Sequence, residues 1–280
     1  MLKTHNLGIM TATVVVPCLC WGCEDTSPIQ RPPQKIHGHL MMHVPSQTVQ
    51  IGHEGDVPYD EQPTIYVAIE GFYIAQTEVT NAQFAKFLND ASLKPEQAVQ
   101  LVGYKGNSTR PTQLLYTGSR YRAALGRERF PVSTVTFDGA KAYCEWIGAR
   151  LPTEAEWMAA MSAGKGSLYP WGDTVDTDQS KAHWGHDWKG YMPTAEIASY
   201  PANAYGIYDG LGNVWEWTIS VYQAYDGTSS QQDGKVRYVL RGGDWFSQPD
   251  EVSLYTRYAL EPQVRGLMDG GVGFRCVVDQ

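Results

Sequence analysis

The sequence predicts an irregular α+β fold, a few helices set among many short strands and loops. Three observations predict it. The chain of 280 residues is 42% hydrophobic and 19% charged, which is apolar enough for a sizeable core. Its 28 glycines, 9 tryptophans and 17 tyrosines describe turns stiffened by aromatic packing rather than a helical bundle. Only three segments read as helices, two of them behind a capping box, and elsewhere apolar residues alternate or come in short runs. Lys and Arg total 22 against 30 Asp and Glu, a net charge of −8 with no basic cluster, so no nucleic acid is expected as a partner.

Taken in chain order, residues 1–22 read as an export signal of the lipoprotein type. Lys3 precedes an apolar run from Leu7 to Gly22 that Pro17 interrupts. The run is short for a membrane span, which needs about 20 residues, and suits a secretory leader. Trp21-Gly22-Cys23 followed by Glu24-Asp25 resembles a lipoprotein junction, at which Cys23 would become the lipid-carrying first residue. The match is imperfect, with Cys20 where such junctions usually have Leu, and an ordinary cleaved leader is the alternative. Residues 23–38 are polar and Pro-rich and read as a tether, with the folded domain over 39–280. The expected location is the bacterial cell envelope, facing periplasm or outside, with the membrane met only through the lipid.

Within the domain, the alternation from Met41 reads as a strand kinked at Pro45, and Ile65 to Gln76 gives two more strand-like runs. Thr80 and Gln83 fit a capping box whose helix places Phe84, Phe87 and Leu88 on one face. Residues 90–130 are weakly patterned and read as a long ordered loop. A second helix is expected over Phe137 to Ala149, with Phe137, Ala140, Cys144 and Ile147 on its buried face. A third begins after Thr153, again with a capping box, to Glu156. Beyond Gly164 the expectation is loops and short strands.

Of the five cysteines, Cys18 and Cys20 lie in the leader and Cys23 at its junction, which leaves Cys144 and Cys276. An even pair in an exported chain favours one disulfide, and a thiolate pair holding a soft metal is the alternative.

Six pieces then occur in a telling order: FYIAQTEVTNAQFAKFL, PVSTVTFDGAKAYCEWIGARLPTEAEW, YPWGD, ANAYGIYDGLGNVWEWT, RGGDW and GFRC. Together they resemble the formylglycine-generating enzyme, or sulfatase-modifying factor, family from about Met41 to Val278. The resemblance implies an irregular fold related to C-type lectins, and a structural disulfide between Cys144 and Cys276. The family's second disulfide is absent, with Met161 and Arg257 at its positions.

The family's founding enzymes oxidise a cysteine of sulfatases using two copper-binding cysteines. Counted from Arg241-Gly242-Gly243, those positions hold Ser247 and Val252. A hydroxyl and an isopropyl group cannot replace two thiolates on a soft ion, so copper is not expected and no catalytic residue is assigned. Iron is not expected either. Relatives that bind it use histidines from a further helical domain, and His37, His39 and His43 read as incidental. The resemblance does imply calcium, held by the Asp209 side chain, the Gly212 and Val214 carbonyls and the Glu216 carboxylate, a donor set suited to a hard cation. The alternative is that Asp209 and Asn213 make turn hydrogen bonds and Glu216 pairs with an Arg. A second family calcium site falls at His183 and Lys189, where a lysine is electrostatically wrong. Asp244, Trp245, Phe246 and Ser247 would line the floor or rim of a groove, though for Trp245 core packing is the favoured reading.

These readings lead to an exported, lipid-anchored, non-oxidase family member that binds protein, peptide or glycan through a lectin-like groove. Two others stand beside it: an oxidase with divergent metal ligands or nonheme iron, and a structural lipoprotein of an envelope or secretion machine.

Overall fold

A computed structural model describes residues 31–54, 61–103, 113–187, 194–227, 233–264 and 271–280. The leader and Cys23 lie outside the described residues. The alternating run from Met41 is split at Pro45 into strands that serve different sheets. β2 (His39–Val44) belongs to a four-stranded sheet with β1 (Gln34–Ile36), β5 (Phe72–Ala75) and β12 (Val277–Asp279), in the order β1-β2-β5-β12. β3 (Gln47–Ile51) pairs instead with β4 (Ile65–Ile69). Proline has no N–H to give a ladder, so the chain changes sheet there. β1 overlaps the segment read as tether. Gln34 stands opposite Met41 in β2, and the polar Gln34 and Lys35 suit an edge strand.

A second four-stranded sheet holds β8 (Trp215–Val221), β9 (Tyr238–Arg241), β10 (Arg257–Leu260) and β11 (Val272–Gly273) in the order β10-β9-β8-β11. β11 runs parallel to β8, whereas the other two pairings are antiparallel.

The capping boxes mark true helix starts. In α1 (Asn81–Asp90) the Gln83 N–H donates to Thr80 Oγ1 at 3.3 Å and the Thr80 N–H donates to Gln83 Oε1 at 2.9 Å. In α4 (Glu154–Ser162) the corresponding bonds join Thr153 and Glu156 at 3.1 and 2.7 Å. Phe84, Phe87 and Leu88 are buried as their spacing requires. Between them lies α3 (Phe137–Trp146), which ends earlier than expected because the chain turns left-handed at Gly148, φ 74°. The expected long loop over 90–130 is corrected. It contains α2 (Pro95–Leu101) and a hairpin of β6 (Leu114–Tyr116) and β7 (Tyr121–Ala123).

Two large apolar clusters form most of the core, with a small third one at Met41, Tyr73 and Ala75. One gathers α1 and α3 against β8, with Phe84 stacked on Tyr143 and both rings edge-on to Phe274. The bond between Cys144 and Cys276 crosses this cluster with both residues fully buried and their Cα atoms 5.6 Å apart. The other packs Trp157 and Met158 of α4 against Val49, Ile74 and Leu254.

Candidate functional site

The RGGDWFS segment leaves β9 through two glycines with left-handed backbone, Gly242 at φ 98° and Gly243 at φ 70°. A side chain at Gly243 would meet Val252 Cγ1 at 2.8 Å and Ser247 Oγ at 3.3 Å, so only glycine fits. The two positions matched to copper-binding cysteines therefore converge over one residue. The chemistry there differs. Ser247 Oγ donates to Asp244 Oδ1 at 2.9 Å and accepts the Asp244 N–H at 3.0 Å. Val252 presents only methyl groups, so the residues do not fit copper.

Asp244 Oδ1 also accepts the N–H groups of Phe246 and Ser247 at 3.1 and 3.0 Å. Burial pushes its carboxyl up to about 6 against the pull of these bonds. Asp244 and Trp245 are 3% and 0% exposed, so the expectation that they line an open groove is corrected. Phe246, 39% exposed, and the half-buried Ser247 are what this segment shows to solvent.

A buried ion cluster fixes the segment from behind. Arg241 donates to Glu154 Oε1 at 2.6 Å, to Tyr225 Oη at 2.7 Å and to the carbonyls of Leu254 and Tyr255 at 3.0 and 2.7 Å. Arg257 donates to the same carboxylate at 2.8 and 3.2 Å. Burial alone would raise the Glu154 carboxyl, but the two guanidiniums outweigh it and hold it low. Arg241 thus clamps both ends of the 241–257 excursion that carries Ser247 and Val252.

The loop matched to calcium binding is tightly wound. Asp209, Gly212 and Asn213 all have positive φ, and a side chain at Gly212 would stand 2.5 Å from the His183 carbonyl. Asn213 accepts the Ala195 N–H at 2.9 Å and donates to Glu78 Oε1 at 2.9 Å. Asp209 Oδ2 accepts the Ala198 N–H at 2.6 Å. Glu216 makes the arginine pair that was its alternative reading. Arg275 donates to its Oε1 at 2.6 Å and its Oε2 at 2.8 Å, and Trp157 Nε1 donates to Oε2 at 2.8 Å. An arginine already serves this carboxylate.

Sequence reasoning missed Glu78. It is 0% exposed, its Oε2 meets no hydrogen-bond donor, and its neighbour is the Asp209 carboxyl. Burial and then the Asp209 charge raise Glu78 well above the usual range, and burial raises Asp209 too. Glu78, Asp209 and Glu216 thus place three buried carboxylates around the single guanidinium of Arg275. The orphaned oxygen and the excess of negative charge fit a hard dication beside Asp209 and Glu78. Glu78 could have been suspected as an acid between the apolar strand β5 and the cap of α1.

The histidines near the start of the domain separate. His39 Nε2 shares a hydrogen bond with Tyr143 Oη at 2.7 Å, His43 Nδ1 accepts the Arg31 N–H at 3.0 Å, and His37 lies against Trp146. They form no common site. His183 faces His186 and Tyr200, whereas Lys189 is outside the described residues. Beside the Asp209 loop is a cavity of about 230 Å³ lined by Lys165, Lys181, Trp171 and Asp209.

Residues 27–280 match the family model described as a sulfatase-modifying factor enzyme 1-like domain. The serine/threonine-protein kinase Pkn1 of Chlamydia trachomatis serovar L2 is 34% identical over 235 residues, 80% of this chain but 36% of that protein. The formylglycine-generating enzyme of Mus musculus is 30% identical over 259 residues, covering 78% of this chain and 69% of the enzyme. An inactive C-alpha-formylglycine-generating enzyme 2 of Bos taurus is 31% identical over 277 residues, covering 84% and 87% of the two chains. Among solved structures, PvdO from Pseudomonas aeruginosa superposes with a TM-score of 0.67 at 24% identity, over 89% of this chain and all of that one.

Proposed function

The chain belongs to the family of sulfatase-modifying factor enzyme 1-like domains, and on that premise we propose that it is a binding member rather than a formylglycine-generating oxidase. The observation that carries this reading is the convergence of Ser247 and Val252 over Gly243. The scaffold that would bring two thiols together is intact, but it holds a hydroxyl spent on Asp244 and an isopropyl group. The similarity to a relative whose name marks it as inactive is in keeping with it. The ligand class is protein, peptide or glycan, met through the face that carries Phe246 and Ser247. The chain is exported and held at the envelope through lipid on Cys23.

Two measurements test this. A copper-treated, reduced chain incubated under oxygen with a Cys-X-Pro-X-Arg peptide should leave the peptide mass unchanged. Aldehyde formation by the parent overturns the reading. Turnover by a Ser247→Cys, Val252→Cys variant alone supports it and shows that the surrounding site survives. On glycan and peptide arrays, Phe246→Ala should lose the ligand that the parent retains, and unchanged retention counts against this face. For the anchor, Cys23→Ser should move the chain out of the detergent-extracted membrane fraction.

A further inference from the structure

We propose that His183, His186 and Tyr200 form a binding site for a divalent first-row transition-metal ion such as zinc. The proposal stands independently of the ligand reading above. His183 Nδ1 lies 3.2 Å from His186 Nε2 and 3.0 Å from Tyr200 Oη. Two donors each about 2.0–2.2 Å from one ion stand roughly 2.8–3.5 Å apart, for angles between octahedral and tetrahedral. Both separations fall in that window. In the tautomers protonated on His183 Nε2 and His186 Nδ1, both facing nitrogens carry lone pairs that can serve a metal ion. Two imidazoles and a phenol are borderline donors, suited to zinc, copper or nickel rather than to calcium.

The arrangement is built rather than incidental. The rings stand 4.3 Å apart because Gly185 between them turns left-handed, φ 70°, and a side chain there would strike Gln179 at 2.8 Å. Trp184 is fully buried, edge-on to the stacked pair of Tyr169 and Trp171, and anchors the turn in the core. Three backbone bonds pin it to the neighbouring loops: Asn213 N–H to the His183 carbonyl at 2.8 Å, Gly185 N–H to the Ser247 carbonyl at 2.9 Å, and His186 N–H to the Trp245 carbonyl at 2.9 Å. Metal ligands held on such a fixed frame lose little freedom on binding. Three protein donors would leave a fourth coordination position for water or another ligand.

The test is a titration of the metal-free, full-length chain with zinc ions, followed by calorimetry, with calcium ions as a competitor. One zinc per chain is expected. His183→Gln and His186→Gln should each weaken it at least tenfold, Tyr200→Phe less, His43→Gln not at all, and calcium should not compete. No saturable binding overturns the site, as does affinity unchanged in both histidine variants. Should those variants unfold, cobalt(II) loaded into the parent decides: paramagnetically shifted signals from two histidine rings support the site, and their absence overturns it.

Discussion

His39 shows how one residue couples this fold to pH. Its ring is buried beside Tyr143 and its pKa is pushed down to about 4, first by burial and then by the charge of His37. An unfolded histidine takes its proton near pH 6.5, while the folded one refuses it until about pH 4. The unfolded state therefore binds more protons across that window, and stability falls as pH falls through it. Between pH 7 and pH 5 the loss from this residue is about 2 kcal/mol. Urea denaturation should show the parent losing that much more than His39→Gln over the same interval. Parallel pH slopes would remove His39 as the cause.

At the scale of elements, the two capping boxes make a matched pair. Thr80→Ala and Thr153→Ala should each cost about 1 kcal/mol in chemical denaturation. Thr153→Ala should cost more, because its partner Glu156 also accepts from Arg150 at 2.8 and 2.6 Å, and Arg150 reaches Asp279 of β12. Loosening that cap frees a link between α4 and the end of the chain. Equal losses would mean that the Arg150 contacts stand without the cap. These helices were legible because a box is a local signal, with all four groups within four residues. What was not legible depends on partners far along the chain. The hairpin of β6 and β7 follows Gln113, which accepts from Asn81 at 3.0 Å and donates to Thr194 at 2.8 Å. α2 buries only Ala98, so its apolar period is faint. β1 is a strand because β2 offers it an edge. The site divides the same way. Ser247 and Val252 were placed by counting from two glycines, and a core Trp245 and an Arg partner for Glu216 stood among the alternatives, but the choice between alternatives depends on β8, α4 and the last strands together.

Across the whole molecule, charge balance in the interior sets the last expectation. Arg241 and Arg257 converge on Glu154, an excess of positive charge behind the RGGDWFS segment. Elsewhere in the interior, Glu78, Asp209 and Glu216 share Arg275, an excess of negative charge that burial makes costly. Two remedies exist. Protons can neutralise Glu78 and Asp209, or a calcium ion can sit beside them with the loop carbonyls of Gly212 and Val214. They predict opposite pH dependence. Without the ion, both carboxyls hold protons at a pH where the unfolded chain has lost them, so stability rises as pH falls from neutral through their raised range. With the ion, protons compete with it, and its contribution shrinks as pH falls. Binding that favours the native state adds RT ln(1 + [L]/Kd), about 2.7 kcal/mol at a hundredfold excess over Kd. Melting curves with calcium and with chelator should therefore be furthest apart near neutral pH and converge on acidification. Glu78→Gln should flatten the chelator series, because it removes one of the two coupled carboxyls while leaving Asn213 a partner. Curves that coincide at every pH would show that protons alone balance this cluster.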